Sequence, residues 1–501
     1  YDPRGYLRWL RRELTTVGHP HHYLVVEKIL AADEHLPDDW PVHGTTGYDY
    51  SFAVNGLFVY GLGERAFDRV YRNVTRELQG FEAILERCKR RIMLFHLSSE
   101  LTVLANLLNR LAELRLETRD FTLNAVRATL LELIVAFPVY RTYVAEGDVS
   151  EQDREHIEWA VSHARSIYEG QDEGILALIR SLLLFELPVD ADYKYRRQAA
   201  QFTAKFQQLT GPVMAKSLED TCMYRYVRLL SLNEVGSDPR RFGMPPAAFH
   251  RLNLRRAAHW PHSLIATSTH DSKRSEDVRA RLNVLSELPG EWRAAVQGWR
   301  RLNEAKRRSV GAVAPPSAIE EYFLYQTLVG TWPADATTTP PDYLERIEAY
   351  MVKAMREAKS NTSWSTPNTD YEAAVIDFIR ETLTAAGAEE FVSSLVKFVQ
   401  RIAVPGFLNS LGQTLLKLTS PGVPDIYQGN ELWDFSLVDP DNRRPVDYAL
   451  RDRLLAELEN ACADREGAAA ALPSLLRSLG DGRVKLYLTW RALTLRAREP
   501  E

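Results

Sequence analysis

The chain has 501 residues, of which 45% are hydrophobic and 26% charged, with a formal net charge of −5 at pH 7. This composition is typical of a globular protein with a large core, in several domains or one heavily decorated domain. There is no basic surplus, so no nucleic-acid partner is expected. No stretch approaches the length of a membrane span, since even the apolar residues 175–185 include Arg180, so no membrane partner is expected.

The three cysteines, Cys88, Cys222 and Cys462, lie far apart in the sequence. Their spacing matches neither a zinc site nor a disulfide framework. We interpret them as buried thiols of a reducing compartment and expect a cytoplasmic protein. The N-terminal residues YDPRGYL contain neither a basic region nor an apolar run, so no signal peptide is predicted.

The first 60 residues begin with a predicted helix over residues 3–14. A short apolar run at residues 23–26 then predicts a strand that ends at Glu27. An acidic residue at a strand end is a candidate catalytic group. Glu27 could instead be a solvated charge or an ion-pair partner of Lys28.

Two features flank this strand. The histidines before it, at His19, His21 and His22, could bind a metal, although histidines in loops are more often surface residues. The glycine-rich residues 44–50 after it are typical of a tight loop near a ligand, but they lack the spacing of a phosphate-binding motif. Tyr48 in this loop could stack on a flat ligand face or belong to the local core.

Residues 61–260 are predicted to be a mainly helical insertion. Leucines recur at three- and four-residue intervals from Leu94 to Leu108, which indicates one apolar helix face that packs inside the protein. A short run at residues 140–144 predicts one strand within this insertion. The charged and aromatic residues 215–239 could line an active site, but a salt-linked helix face is the default interpretation.

The motif at residues 261–290 is the most informative one. Residues 263–267 predict a buried strand, His270 and Asp271 follow it, and a charged, helix-compatible segment comes next. A (β/α)8 barrel presents its catalytic groups in this way, at the C-terminal ends of its strands. The alternative is that Asp271 or Ser272 merely caps the helix.

The remaining chain continues this alternation. Residues 291–400 are predicted to form helices and loops, and one polar loop displays Trp364 as a platform for a sugar ring or as an anchor for a lid. Residues 401–460 contain the last predicted strand, at residues 423–427. Residues 461–501 are predicted to form a helical tail.

The loop after the last predicted strand carries a run of charged residues. It faintly resembles a calcium-binding loop, but it lacks the glycine and the terminal glutamate at the required spacing. We therefore favour a salt-linked loop, and no metal or cofactor is predicted. The charged residues are Asp439, Asp441, Arg443, Arg444 and Asp447.

The alternation of strands and helices predicts the fold class. Four short strands are predicted, near residues 23, 140, 263 and 423. This pattern indicates an α/β protein with a parallel barrel, of which four strands are half. We therefore predict the C-terminal half of a (β/α)8 TIM barrel with large helical insertions. Glu27 and Asp271 follow two of the strands, as the two carboxylates of a glycosidase would.

Several long motifs follow one another along the chain. They are HHYLVVEKIL with WPVHGTTGYDY, AKSLEDTCMYRY with SLNEVGSDP, STHDSKRSEDVRARL, and SPGVPDIYQGNELWDFSLVDPDNRRPVDY. In sequence and order they resemble the maltooligosyltrehalose synthase family, which is part of the α-amylase clan. The resemblance implies that the chain is the central portion of such an enzyme, without barrel strands one to four and without the family's C-terminal β domain.

The resemblance also implies roles for individual residues. Glu27 matches the general acid/base after the fifth barrel strand, and Asp271 matches the second carboxylate, after the seventh strand. His270 matches the histidine paired with that carboxylate. The nucleophilic aspartate is expected upstream of Tyr1, because Asp2 does not match it. The candidate substrate-binding residues are His270, Lys28, Tyr48, Lys273, Arg274 and Trp364.

The activity implied by the resemblance is an intramolecular transglucosylation. It converts the reducing-end α-1,4 linkage of a maltooligosaccharide to an α,α-1,1 linkage with retention, so an isomerase with a maltooligosaccharide substrate is expected. The chain alone is expected to be inactive, with the N-terminal barrel half as a partner. Two alternatives stay open: a hydrolase of the same clan, and a non-catalytic module that binds oligosaccharides.

The predicted half barrel has a consequence for stability. Half a barrel leaves strand edges unpaired and part of its core uncovered, so we expect the isolated chain to be poorly stable. Equilibrium unfolding in urea measures this directly. A single cooperative transition with an ordinary midpoint would contradict the prediction.

Overall fold

The computed structural model describes residues 2–31, 33–167, 172–311 and 313–499, which are mostly helical. Its α-helices are α1 Pro3–Thr16, α2 Tyr48–Leu57, α3 Glu64–Thr75, α4 Phe81–Arg91, α5 Ser98–Ala112, α6 Leu123–Ala136, α7 Glu151–Ile167, α8 Glu173–Leu183, α9 Tyr193–Met214, α10 Pro246–His259, α11 Glu276–Asn283, α12 Pro289–Asn303, α13 Ala318–Thr331, α14 Pro341–Ala358, α15 Thr369–Leu383, α16 Glu389–Thr419, α17 Tyr448–Ala461, α18 Arg465–Arg477 and α19 Arg483–Arg498. The two strands are β1 Leu264–Ile265 and β2 Val423–Pro424.

The chain folds into two compact units, each built from separate segments. The first unit, called the helical unit here, comprises Tyr1–Leu24, Ile29–Val42 and Gln79–Cys222. The second unit, called the sheet unit, comprises Val25–Lys28, His43–Leu78 and Met223–Glu501.

The helical unit is a bundle with a continuous apolar core. Helices α4 to α9 contribute the buried side chains of this core. The predicted leucine stripe is confirmed from Leu97 to Leu108, where its leucines are buried on or beside α5. Leu94 is exposed, because it lies in a π-helical turn, Ile92–His96, that precedes α5 and breaks the helical spacing.

The strand predicted at residues 140–144 is wrong. Among the described residues, no strand pairs with this segment, and side chains from neighbouring helices bind its backbone instead. The Val144 N–H donates to Oε1 of Gln207 at 2.7 Å, and Nε2 of Gln207 donates to the Val144 carbonyl at 3.0 Å. The Tyr143 N–H donates to Oδ1 of Asp153 at 3.0 Å. Since these side chains satisfy the backbone groups, the extended segment needs no sheet.

In the sheet unit, four extended segments are joined by backbone hydrogen bonds. Strands β1 and β2 pair in parallel, with Leu264 opposite Val423. Val26 forms an isolated parallel bridge with Thr45, and the Thr45 carbonyl accepts the N–H of Leu264 at 3.1 Å. The strands expected near residues 263 and 423 are confirmed over two residues each, whereas the segment expected near residue 23 forms an isolated bridge at Val26 and no strand. The segment at Thr45 was not predicted.

Two glycines allow the Thr45 segment to approach β1. Gly44 has φ +138°, and a Cβ there would lie 2.4 Å from the Ser263 Cβ. Gly47 has φ +93°, and a Cβ there would lie 2.7 Å from the Leu264 carbonyl oxygen. Any other residue would clash with the β1 backbone and strain its own. The glycine-rich loop predicted near a ligand is therefore built first of all for close contact with β1.

A cluster of buried charges surrounds the start of α11, all of whose residues are buried. Nζ of Lys485 on α19 lies 2.7 Å from Glu276 Oε1 and 2.9 Å from Asp277 Oδ2. Nζ of Lys417 on α16 lies 3.6 Å from Glu276 Oε2 and donates to Thr267 Oγ1 at 2.7 Å. Burial alone would raise the pKa of Glu276, but the two lysines outweigh it and hold that pKa well below its usual range.

One helix contradicts the expectation that no stretch approaches a membrane span. Helix α16 is long and apolar enough to cross a membrane by length and composition, and half of its apolar window is buried inside the fold. The segments Phe81–His96 and Ser98–Ala112 pass the same test only together, across a bend of 86°. This is weak evidence for a membrane span, because buried core helices meet the same criterion.

Replacing Lys485 with methionine should lower the free energy of unfolding at pH 7 by roughly 3–5 kcal/mol, because Glu276 and Asp277 would lose their buried partner. Denaturation in urea measures this change. Arg498→Met provides the control, since Arg498 is exposed on the same helix, α19, and its loss should cost little.

The same pair of proteins should show a defined pH dependence. The pKa of Glu276 is lower in the folded chain than its unfolded value of about 4.3. Its stabilising contribution is therefore complete above that value and is lost as the pH falls further. The stability difference between the native chain and Lys485→Met should narrow below about pH 4. A constant difference down to pH 3 would contradict this assignment.

Candidate active site

The structure brings Glu27, His270 and Asp271 together on the surface of the sheet unit. One ligand atom from each side chain lies within 4.8 Å of the others, and all three side chains are exposed. Nε2 of His270 is 3.5 Å from Oδ2 of Asp271. The two predicted catalytic carboxylates are therefore close enough to contact one glycosidic linkage.

Glu27 is held by an extended segment and by a tyrosine. The Val26 N–H donates to the Gly44 carbonyl at 3.0 Å. Because side chains alternate along an extended backbone, Glu27 points to solvent while Lys28 is buried. The hydroxyl of Tyr48, the first residue of α2, donates to Oε1 of Glu27 at 3.3 Å.

Tyr48 also connects Glu27 with the segment that carries Asp271. Its hydroxyl accepts a hydrogen bond from Thr269 Oγ1 at 3.4 Å, and only 5% of the tyrosine is exposed. Burial raises the pKa of Tyr48 well above its ordinary value, and the charges of Asp271 and Glu27 act in the same direction. Tyr48 therefore remains protonated and can donate to Glu27.

Asp271 belongs to a hydrogen-bonded turn. The Thr269 N–H donates to Ser272 Oγ at 2.9 Å, and the Ser272 N–H donates to the Thr269 carbonyl at 3.2 Å. The Asp271 N–H donates to Thr269 Oγ1 at 3.2 Å. The alternative that Asp271 or Ser272 caps the helix is wrong, because α11 begins only at Glu276.

The structure separates the other predicted substrate-binding residues from this surface. Lys28, Lys273 and Arg274 are buried. The Lys273 ammonium lies 5.6 Å from the centroid of the Tyr224 ring. These positions do not support direct contact of these side chains with a substrate.

Arg274 is the clearest correction, because only 1% of it is exposed. Its guanidinium donates to the carbonyls of Leu230 and Asn233 at 3.3 and 3.2 Å, and to the Tyr350 hydroxyl at 3.0 Å. These partners place Arg274 in the interior, where it ties two segments of the sheet unit together. Sequence alone offered no means to separate this role from a surface contact.

Trp364 is 53% exposed and has two side-chain contacts. Its Nε1 donates to Oε1 of Glu357 at 3.0 Å, and the Arg356 guanidinium lies 5.0 Å from its ring centroid. Among the contacts in the described parts of the chain, none joins Trp364 to Glu27 or Asp271. The indole face is available to a ligand, but the structure does not link it to the carboxylates.

Two residues near the site escaped prediction. Thr269 binds Tyr48, and Nδ2 of Asn442 donates to the His270 carbonyl at 2.8 Å. Thr269 lies in the STHDSKRSEDVRARL motif, and Asn442 lies in the charged loop. In that loop, Asp441 forms a two-pronged ion pair with Arg346, each contact 2.8 Å long, so the favoured salt-linked loop is confirmed.

Metal binding is possible at one place on geometric grounds. Within residues 2–31, 33–167, 172–311 and 313–499, Glu27, His270 and Asp271 form the one group of three such side chains close enough to share an ion. Their exposure does not favour a metal, since exposed acidic groups are common without one. The histidines at positions 19, 21 and 22 lie exposed in the loop after α1 and form no such group among the described residues.

Facing carboxylates at the ends of neighbouring extended segments are typical of glycoside-processing proteins with an α-amylase-like fold. No protein-family model matches the chain. Over 461 residues it is 36% identical to a Mycobacterium tuberculosis (strain H37Rv) protein with the provisional name maltooligosyl trehalose synthase, covering 92% of this chain and 54% of that protein.

Solved structures agree with this relationship. Maltooligosyltrehalose synthase from Arthrobacter ramosus superposes with a TM-score of 0.80 at 33% identity, covering 100% of this chain and 57% of that one. A hypothetical maltooligosyl trehalose synthase from Sulfolobus tokodaii gives a TM-score of 0.75 at 31% identity, covering 99% and 58%. The chain is therefore homologous to the maltooligosyltrehalose synthases, as its motifs indicated. It spans about half the length of the curated relatives it matches.

Replacing Tyr48 with phenylalanine should change the chemical shift of the Glu27 side-chain carboxyl at a fixed pH and lower the free energy of unfolding by about 0.5–1.5 kcal/mol, because the hydrogen bond to that carboxylate is lost. Carbon-detected NMR at one pH and denaturation in urea measure these changes without requiring activity. Tyr50→Phe is the matched control, since Tyr50 lies on the same helix and its hydroxyl donates to Ser420 at 3.3 Å. If both variants leave Glu27 unchanged, Tyr48 does not support the carboxylate.

Proposed function

We propose that this chain carries the acid/base and the second carboxylate of a maltooligosyltrehalose synthase. The observation that carries the proposal is the meeting of Glu27 and Asp271 within 4.8 Å in a chain homologous to those enzymes. The proposed reaction moves the reducing-end glucose of a maltooligosaccharide from an α-1,4 to an α,α-1,1 linkage. The net stereochemistry is retention, which requires two displacements at one anomeric carbon.

In the first displacement, a carboxylate nucleophile attacks the anomeric carbon while the glycosidic C–O bond breaks. Glu27, protonated, gives its proton to the departing oxygen. Asp271, with His270 beside it, binds sugar hydroxyls and stabilises the positive charge that develops on the ring. The products of this step are a glycosyl ester on the nucleophile and a free glucose molecule.

In the second displacement, the freed glucose turns so that its own anomeric hydroxyl faces the ester. Glu27, now ionised, removes the proton of that hydroxyl as its oxygen attacks the anomeric carbon and the ester bond breaks. The nucleophile is regenerated and the α,α-1,1 linkage is complete. Tyr48 supports the ionised form of Glu27 in this step, because its hydroxyl donates to that carboxylate.

The proposal assigns the nucleophile to a residue outside Tyr1–Glu501. The basis is the order of motifs in the family, in which the nucleophile precedes the segment that resembles residues 1–7. We also propose that the chain needs this residue for turnover. Mixing the chain with a polypeptide that carries the preceding half of the barrel should restore activity. Sugar binding without any turnover in that mixture would favour the non-catalytic module.

A clan hydrolase would share Glu27 and Asp271, and the assay of products distinguishes the two activities. Isomerisation of maltopentaose removes reducing ends, whereas hydrolysis creates them. We expect the native full-length protein to lower the reducing-end count at constant total sugar. A rise in reducing ends with release of shorter maltooligosaccharides would establish the hydrolase instead.

Glu27→Gln and Asp271→Asn should each lower kcat by about 10³-fold or more, because each removes a charge or proton needed in the transition state. Glu304→Gln and Asp335→Asn, which alter exposed acidic residues of the same unit, serve as matched controls and should retain normal rates. The measurement is the initial rate at saturating maltopentaose. A normal rate in either site variant would refute the assignment.

Water must be excluded while the glycosyl ester exists, and we propose that the Trp364 loop contributes to this exclusion. Its indole is exposed yet held by Glu357 and Arg356, as a platform for a sugar ring would be. Trp364→Ala should raise the ratio of free glucose to trehalose-ended product, whereas Trp364→Phe should largely preserve it. Chromatography of the products measures this ratio, and an unchanged ratio in Trp364→Ala would remove the loop from this role.

A further inference from the structure

A buried glutamate supports the turn that carries His270 and Asp271. Glu234 follows the 3₁₀ turn Leu230–Leu232 in the SLNEVG motif, and only 5% of it is exposed. Its Oε1 accepts the backbone N–H of Lys273 at 2.5 Å, and its Oε2 accepts that of Arg274 at 3.1 Å. One carboxylate therefore holds two consecutive peptide groups just after Asp271.

The backbone N–H groups from Asp271 to Glu276 all have hydrogen-bond acceptors. These acceptors come from different parts of the chain. The N–H groups of Asp271 and Ser272 bind within the turn, to Thr269. The Glu276 N–H binds Ser268 Oγ at 2.9 Å, and the Ser275 N–H binds the Ser436 carbonyl at 3.0 Å. The two N–H groups in the middle depend on the side chain of Glu234, which comes from a distant part of the sequence.

Glu234 interacts with two buried arginines, Arg274 and Arg279. Arg274, whose N–H it binds, sends its guanidinium to the carbonyl of the adjacent Asn233 at 3.2 Å. Burial lowers the pKa of Arg279, and the charge of Glu234 opposes that shift. A carboxylate thus satisfies two N–H donors and balances buried positive charge at once, which a neutral side chain cannot do.

We propose that Glu234 is a positioning residue that holds the turn so that Asp271 faces Glu27. Glu234 itself is buried and acts through the backbone of Lys273 and Arg274. The proposal rests on the proposed function, since it assumes that Asp271 takes part in the reaction. A displacement of about 1 Å at a reacting group costs up to about 100-fold in rate, so the support of this turn has a direct kinetic consequence.

The test compares Glu234→Gln, Glu234→Ala, Asp271→Asn and the double variant Glu234→Gln/Asp271→Asn in the native full-length protein. We expect kcat on maltopentaose to fall about 10-fold in Glu234→Gln, which keeps one acceptor oxygen, and about 100-fold in Glu234→Ala. KM should change little. Because Glu234 acts through Asp271, the double variant should be no slower than Asp271→Asn alone.

Asn233→Ala is the matched structural control. Asn233 is buried beside Glu234, and its Nδ2 donates to the carbonyls of Met223 and Tyr226 at 2.8 and 2.6 Å. Its loss should lower the unfolding temperature and leave kcat unchanged below that temperature. A second measurement reports on the turn directly. In Glu234→Gln, the backbone amide hydrogens of Lys273 and Arg274 should exchange with solvent faster than in the native protein, because their hydrogen bonds to the carboxylate are weakened.

The outcomes separate the two proposals. If Asp271→Asn turns over normally, the proposed function fails. If Asp271→Asn is inactive but Glu234→Gln is as fast as the native protein, the positioning role is overturned. If the losses in kcat of Glu234→Gln and Asp271→Asn multiply in the double variant, the positioning role is overturned as well. Should Glu234→Ala fail to fold, the kinetics and amide exchange of Glu234→Gln still decide the question.

Discussion

The buried charges around the start of α11 are the constraint on which the sheet unit depends. Glu276 and Asp277 are paired by Lys417 from α16 and Lys485 from α19. Charges without a partner in the interior cost several kcal/mol, so α11 can be buried only when both other helices are in place. Lys417 also binds Thr267, which follows β1. The cluster thereby connects two distant helices to the strand that leads to the site.

The site shows the complementary arrangement, in which exposed reactive groups are held by buried polar ones. Glu27 and Asp271 are open to solvent. Tyr48, in contrast, is buried and binds both the carboxylate of Glu27 and the turn of Asp271 through Thr269. The two exposed carboxylates can keep their geometry because the groups that support them are out of contact with water.

Short apolar runs in the sequence were enough to locate most of the extended segments and the two carboxylates that follow them. The apolar run before His270 predicted β1, and the run before Glu27 predicted the segment that contains the bridge at Val26. The motifs indicated the maltooligosyltrehalose synthases, to which the chain is homologous. The run at residues 140–144 has the same local character, yet Gln207 and Asp153 bind its backbone in place of a strand. Thr45 pairs with Val26 although glycines stand at positions 44 and 47, because those glycines permit close contact with β1 and the residue before it.

The sequence by itself determined the residue types, their order and the resemblance to the maltooligosyltrehalose synthases, since these depend on local pattern and on long motifs. Only the tertiary structure decided which charged residues face solvent. Lys273 and Arg274 follow Asp271 directly and look equally suited to bind a sugar, but the turn directs them into the interior. Glu234 lies in the SLNEVGSDP motif, but only the fold shows that its carboxylate supports that turn. Hydrogen bonds between residues far apart in the sequence determine these positions, and no local pattern encodes them.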